Sequence, residues 1–384
     1  MAEPARPLPQ IVLTIQGLGQ LLSGLVASGY RLTGPTVRDG AIVYDEIGGV
    51  ADLPGGWTDE QAPGRYRLAR RDDGALFGYV VGPQAWKQFL HPPAVKLFAA
   101  TREGKSFTVS PPDREAPVRT AFVGVRACEL AAIARQDKVL LGGAFSDATY
   151  RAHRDGIFIL AVQCAEARGT CFCASMGTGP RAEAGFDLAL TERVEGDVHE
   201  LLVEIGSASG AEAIARVGSA ERRDATRDDL DRAHAASRRA ESQMGRHLDT
   251  AGLPELLAKS VESPRWEEIA KRCMSCANCT MVCPTCFCTT VEDTTDLTGD
   301  HAERWRRWDS CYTMDFSYIH GGSIRRTGAS RYRQWLTHKL SSWWEQFGTS
   351  GCVGCGRCIT WCPAAIDITQ EVVAIRNDDG KVTP

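Results

Sequence analysis

The strongest constraint on this chain is a cysteine run that occurs twice. Residues 273–284 read Cys273-Met-Ser-Cys276-Ala-Asn-Cys279-Thr-Met-Val-Cys283-Pro284, and residues 352–363 read Cys352-Val-Gly-Cys355-Gly-Arg-Cys358-Ile-Thr-Trp-Cys362-Pro363. Both are C-x2-C-x2-C-x3-C-P, the bacterial ferredoxin spacing for a 4Fe–4S cube. Three cysteines at two-residue gaps wrap a short loop around one cube. The fourth opens a helix, whose first turn tolerates the proline that follows. In two-cluster ferredoxins that fourth thiolate reaches across to the other cube. The spacing therefore assigns Cys273, Cys276, Cys279 and Cys362 to a first cube, and Cys352, Cys355, Cys358 and Cys283 to a second. Gly351, Gly354 and Gly356 let backbone N–H groups come close to the sulfurs of the second run. Structural zinc modules present two spaced pairs instead. Covalent haem needs a histidine directly after C-x-x-C, and none stands there. Two adjacent cubes without an evident substrate pocket point to electron transfer, with potentials set by nearby amide donors and exposure.

Eleven of the fifteen cysteines lie between Cys273 and Cys362; the other four are Cys128, Cys164, Cys171 and Cys173. Two strand-like runs, Ala121–Val125 and Ile157–Val162, end beside cysteines and are separated by a helix-like stretch, Ala127–Leu141. As a βαβ unit they would be parallel, with their carboxyl ends at one edge. Ligands bind at that edge in open α/β sheets. Cys128, Cys164, Cys171 and Cys173 are accordingly read as ligands of a third 4Fe–4S cluster; the rival readings are small buried hydrophobes or a redox pair. Cys286, Cys288 and Cys311 cannot complete a four-thiolate site alone. Thr285-Cys-Phe-Cys288 echoes Thr170-Cys-Phe-Cys173, but sequence offers no basis for placing it.

The fold expected is an α/β N-terminal domain, residues 1–240, followed by a helical linker, 241–270. A C-terminal α+β dicluster ferredoxin-like domain follows, residues 271–384, with a long, mostly helical insertion at about 289–348. Within the first domain, a helix near 17–28 ends at Gly29. Strands are read at Ala41–Tyr44 and Leu76–Val81, a hairpin from Phe186–Thr191 and His199–Ile205, and solvated helix over 211–247. The tail after Glu371 reads as polar and loose. Apolar residues at 43% and charged residues at 24% exclude global disorder. A net charge of −4 makes a general nucleic-acid binder a poor fit. Residues 11–30 carry no charge, yet Leu18, Leu21, Leu22, Leu25 and Val26 fall at the spacing of an amphipathic core helix rather than a membrane span. The opening MAEPARPLPQ lacks the marks of a secretory signal, so a cytoplasmic location is expected, where thiols stay reduced. Gly17-Leu-Gly19 and Gly24 do not make a dinucleotide loop. Ser175–Pro180 is a glycine-rich turn that either offers donors to a cluster or is an ordinary turn. Arg304, Arg306, Arg307, Arg325, Arg326, Arg331 and Arg333 interleave with Trp305, Trp308 and Trp335, and are read first as a subunit interface.

Gly124-Val-Arg-Ala-Cys-Glu-Leu130, Thr170-Cys-Phe-Cys-Ala-Ser-Met-Gly-Thr-Gly-Pro180, Cys283-Pro-Thr-Cys-Phe-Cys288, Trp308-Asp-Ser-Cys311 and the two ferredoxin runs together resemble the beta subunit of cytosolic NAD(P)-linked nickel–iron hydrogenases of the sulfhydrogenase type. The chain is also similar to the electron-transfer subunit of anaerobic sulfite reductase. The resemblance implies an electron relay with no substrate chemistry of its own. Its partners would be a flavin/NAD(P)-binding subunit, together with the hydrogenase small and large subunits. FAD, NAD(P) and the nickel–iron centre would belong to those partners, since no motif for them stands here. The alternatives are the same relay in a sulfite reductase, and a zinc-stabilised nucleic-acid-binding protein. No nucleic-acid or membrane partner is expected.

Overall fold

The computed structural model describes residues 10–111 and 118–379. The first nine residues, on which the absence of a leader was read, lie outside them. Fourteen strands matter here: β1 (Gln10–Thr14), β2 (Arg31–Arg38), β3 (Ala41–Glu46), β4 (Trp57–Ala62), β5 (Arg65–Arg70), β6 (Ala94–Glu103), β7 (Ser106–Ser110), β8 (Thr120–Val125), β9 (Phe158–Val162), β10 (Leu188–Glu195), β11 (Val198–Ile205), β12 (Arg222–Asp224), β13 (Thr289–Thr295) and β14 (His301–Trp308). Eight of them form one sheet in the order β12-β1-β11-β10-β9-β8-β2-β3. Its centre, β10-β9-β8-β2, is parallel, and its flanks are antiparallel.

Local chemistry explains the elements around this sheet. Thr14 caps the helix Ile15–Ala27 by accepting from the Gly17 N–H at 3.0 Å. Leu18, Leu21, Leu22 and Leu25 of that helix are buried against the sheet. The helix stops before Gly29, which takes a left-handed φ of 84°. Among the described residues no helix is long and apolar enough to cross a membrane. Val123 and Leu160 of the parallel centre have no exposure at all, the signature of strands covered on both faces.

Several expectations fail for identifiable reasons. Leu76–Val81 is fully buried but is not a strand. Its N–H groups bond to carboxylates instead of a ladder: Leu76 and Phe77 to Glu192, at 2.6 and 2.8 Å, and Val80 to Asp59 at 2.8 Å. The insertion is not mostly helical. It opens with the β13–β14 hairpin, and β14 pairs with β6 in a second sheet, β13-β14-β6-β7. Threonine-rich β13, Thr-Thr-Val-Glu-Asp-Thr-Thr, suits a strand for the usual β-branched reasons. One sheet thus spans the first domain and the insertion. The tail is not loose either: Ile368–Asp379 is a helix, with Val372 and Ile375 in the core.

The tryptophan–arginine stretch is largely spent on contacts within the chain. Arg306 pairs with Asp147, Arg304 with Asp293 and Arg307 with Glu292. Trp335 and Arg331 are buried. Trp308 donates to the His91 carbonyl and lies under the Lys87 ammonium at 3.9 Å.

Candidate metal centres

The first run folds as a tight loop in which Ser275 and Ala277 take positive φ, 52° and 63°, a strained backbone for residues with a Cβ. Cys273, Cys276, Cys279 and Cys362 line one cavity together, walled by Tyr332, Trp335 and Ile368. The second run supplies Cys362 because the runs lie side by side, with Asn278 donating to the Trp361 carbonyl. The Ile366 N–H points at the Cys362 sulfur, 3.4 Å away. Cys276 and its neighbour Met274 are exposed, so this cavity reaches the surface. Burial raises the Cys279 and Cys273 thiols above the ordinary thiol range. Thiols held neutral by burial lose their protons to a metal, which replaces the missing charge.

The second run packs into the molecule. Cys358 has Cys352, Cys355 and Cys283 as neighbours, and the Gly354 N–H approaches the Cys352 sulfur at 3.4 Å. Gly354, with φ 64°, is required twice over: a Cβ there would lie 2.6 Å from the Cys173 Cα. Arg357 anchors the loop. Its guanidinium, without exposure, pairs with the equally buried Glu129 and donates to the Gly82 and Gln84 carbonyls. Glu129 also accepts from Tyr44, Trp86 and the Arg126 N–H. The carboxylate that caps the helix after β8 therefore also clamps the second ferredoxin loop.

The upstream cysteines meet at the sheet edge. β8 and β9 are parallel neighbours. Cys128 opens the helix Ala127–Leu140 after β8, and Cys164 follows β9. Cys128, Cys164, Cys171 and Cys173 line one apolar cavity, with Arg126 and Cys355 on its wall. The Arg126 guanidinium, fixed by the Phe77 and Tyr79 carbonyls at 2.8 Å each, lies 4.0 Å from the Cys164 sulfur. Burial pushes the Cys171 thiol up to about 12. Four thiols around an apolar void next to a fixed cation suit an anionic cluster of the kind the ferredoxin runs hold.

Cys286, Cys288 and Cys311 line neither cavity. Cys288 and Cys311 face each other at the base of the β13–β14 hairpin, where the Asp309 N–H donates to the Cys288 carbonyl at 2.9 Å. Cys286 lies against Cys283. Among the described residues no three His, Cys, Asp or Glu side chains converge on a single metal ion. Cys273, Cys276, Cys279 and Cys362 stand around one void, and Cys128, Cys164, Cys171 and Cys173 around another, an arrangement that suits clusters. Sequence reasoning missed Arg126, Glu129, Arg357 and Lys339, although the first two flank Cys128 within Gly124–Leu130.

Two ferredoxin runs lying side by side, with Cys273, Cys276, Cys279 and Cys362 around one apolar void, mark an iron–sulfur protein of the dicluster class. Residues 272–366 match the family described as a 4Fe-4S dicluster domain. The beta subunit of sulfhydrogenase 2 from Pyrococcus furiosus is 33% identical over 254 residues, covering 66% of this chain and 73% of that one. The chain belongs to the sulfhydrogenase beta-subunit family, and its role is that of a 4Fe–4S electron-transfer subunit. A chain of the F420-reducing nickel–iron hydrogenase complex from Methanosarcina barkeri, in a xenon-derivatised structure, aligns over 68% of this chain and 97% of its own. At 8% identity and a TM-score of 0.29, that likeness carries no argument.

Proposed function

We propose that the chain relays single electrons through three 4Fe–4S cubes arranged in a row, inside a multisubunit nickel–iron hydrogenase. The observation that carries this reading is the position of the second run. Its Cys355 lines the cavity of Cys128, Cys164, Cys171 and Cys173, and its Cys358 lines the cavity of Cys273, Cys276, Cys279 and Cys362. The cube on Cys352, Cys355, Cys358 and Cys283 would then stand between the other two. When bound, the cubes supply one-electron redox chemistry. The chain's own part is to hold them by thiolates, keep water out with apolar walls, and aim backbone N–H groups and fixed cations at the sulfurs. Exposed Cys276 marks one end, where a partner's redox centre can approach. A flavin/NAD(P)-binding subunit, together with the hydrogenase small and large subunits, completes the complex proposed, with FAD, NAD(P) and nickel–iron held by those partners, in the cytoplasm.

The test is iron and acid-labile sulfide per chain, on protein purified without oxygen. The expected result is about 12 of each. About 8 of each would remove the upstream cube and leave its thiols structural. Near-zero iron with stoichiometric zinc would overturn the relay.

A further inference from the structure

The segment that follows the hairpin delivers one unusual group. Lys339 lies in a π-helical turn, His338–Ser342, between the helices Gly328–Thr337 and Trp343–Phe347. Such turns are rare and concentrate at functional sites. The side chain is 5% exposed. Its ammonium donates to the Cys283 sulfur at 3.2 Å, the Thr285 hydroxyl at 3.0 Å and the Gly351 carbonyl at 3.3 Å, with the Cys286 sulfur at 3.6 Å. Among the described residues no carboxylate pairs with it. Lys87, equally buried, faces Cys286, Cys283 and Cys288 as well.

A buried ammonium without an anion is costly, and an apolar chain of similar size would fill the space at lower cost. Cluster thiolates are the negative charge at hand. The first cavity, built on the same cysteine spacing, has no lysine or arginine on its wall. The second site therefore has a buried ammonium against a ligand sulfur, at Cys283, which the wall of the first cavity lacks.

We infer that Lys339 raises the reduction potential of the second cube by holding its ammonium against the Cys283 sulfur. The inference rests on the cluster assignment proposed above. Reduction adds one negative charge to a cube, and a cation about 3 Å from a ligand sulfur in a poorly screened interior stabilises the reduced form more than the oxidised one. A middle site made easier to reduce would hold an electron between the two ends of the row.

The experiment is a potentiometric titration followed by electron paramagnetic resonance, on the full chain with its clusters, comparing wild type with Lys339→Gln, Lys339→Met and Lys339→Arg. The second cube's signal is identified as the one altered by Cys352→Ser. In the Gln and Met variants its midpoint should shift to lower potential, with iron and sulfide at the wild-type level and the other signals unmoved; Arg should retain most of the wild-type value. An unmoved midpoint in a fully loaded Gln or Met variant overturns the inference. So does an equal fall in the Arg variant. Loss of the cube from both Gln and Met variants would make Lys339 a structural contact and overturn it as well. Wild-type protein without iron would instead defeat the cluster assignment itself.

Discussion

The same four residues, Thr-Cys-Phe-Cys, occur at 170–173 and at 285–288, and the fold gives them different work. Both copies lean on the second ferredoxin loop. Thr170, fully buried, shares a hydrogen bond with Thr360 at 2.8 Å, and Thr285 donates to the Gly351 carbonyl at 2.6 Å. The cysteines then part company. Cys171 and Cys173 open onto a void shared with Cys128 and Cys164. Cys286 and Cys288 do not line that void; they sit near Lys339 and Lys87, with Cys311 as the third thiol. The phenylalanines differ in the same sense. Phe172 is enclosed, whereas Phe287 packs edge-on against Trp343 and Phe347. A short motif thus specifies how the backbone is anchored, and the neighbours decide whether its thiols face a shared void.

The largest expected effect separates the copies directly. Cys171→Ser with Cys173→Ser should remove about four of about 12 irons, whereas Cys286→Ser with Cys288→Ser should remove none. Equal losses, measured by iron analysis of the purified chain, would erase the distinction. A second test strikes the loop that both copies share. Arg357→Met leaves Glu129 buried without its cation and should cost about 3–5 kcal/mol of stability, read from denaturant midpoints. A change within about 0.5 kcal/mol, the usual range for surface substitutions, would show that the clamp is not what holds the loop. The smallest effect concerns the anchors. Thr170→Val and Thr285→Val should each cost about 1 kcal/mol. A much larger loss at Thr285 alone would mean that the cage around the Lys339 ammonium, and not the backbone anchor, is its main duty.

Much of the fold was legible locally. The helix Ile15–Ala27, strands β3, β8 and β9 and the β10–β11 hairpin follow from apolar periodicity and turn residues. The misreadings share a cause, partners distant in sequence. Leu76–Val81 has a strand's composition, but Glu192 and Asp59 take its N–H groups. β14 is an arginine- and tryptophan-rich segment that becomes a strand by pairing with β6, some two hundred residues earlier. The last helix looked polar by composition, yet Ile368, Val372 and Ile375 give it a buried stripe against Trp335 and Ile359.

The candidate site divides along the same line. Cysteine spacing alone grouped the eight ferredoxin thiols, because two-residue gaps keep three sulfurs on one short loop whatever surrounds it. A strand-helix-strand reading was enough to bring Cys128 and Cys164 to one sheet edge. Only the tertiary structure placed Arg126 over Cys164, locked Arg357 onto Glu129 and brought Lys339 to Cys283. Spacing along a chain determines which thiols can share a ligand. A charge buried beside them is decided by packing, since its favourable partners exist only once the distant segments have met.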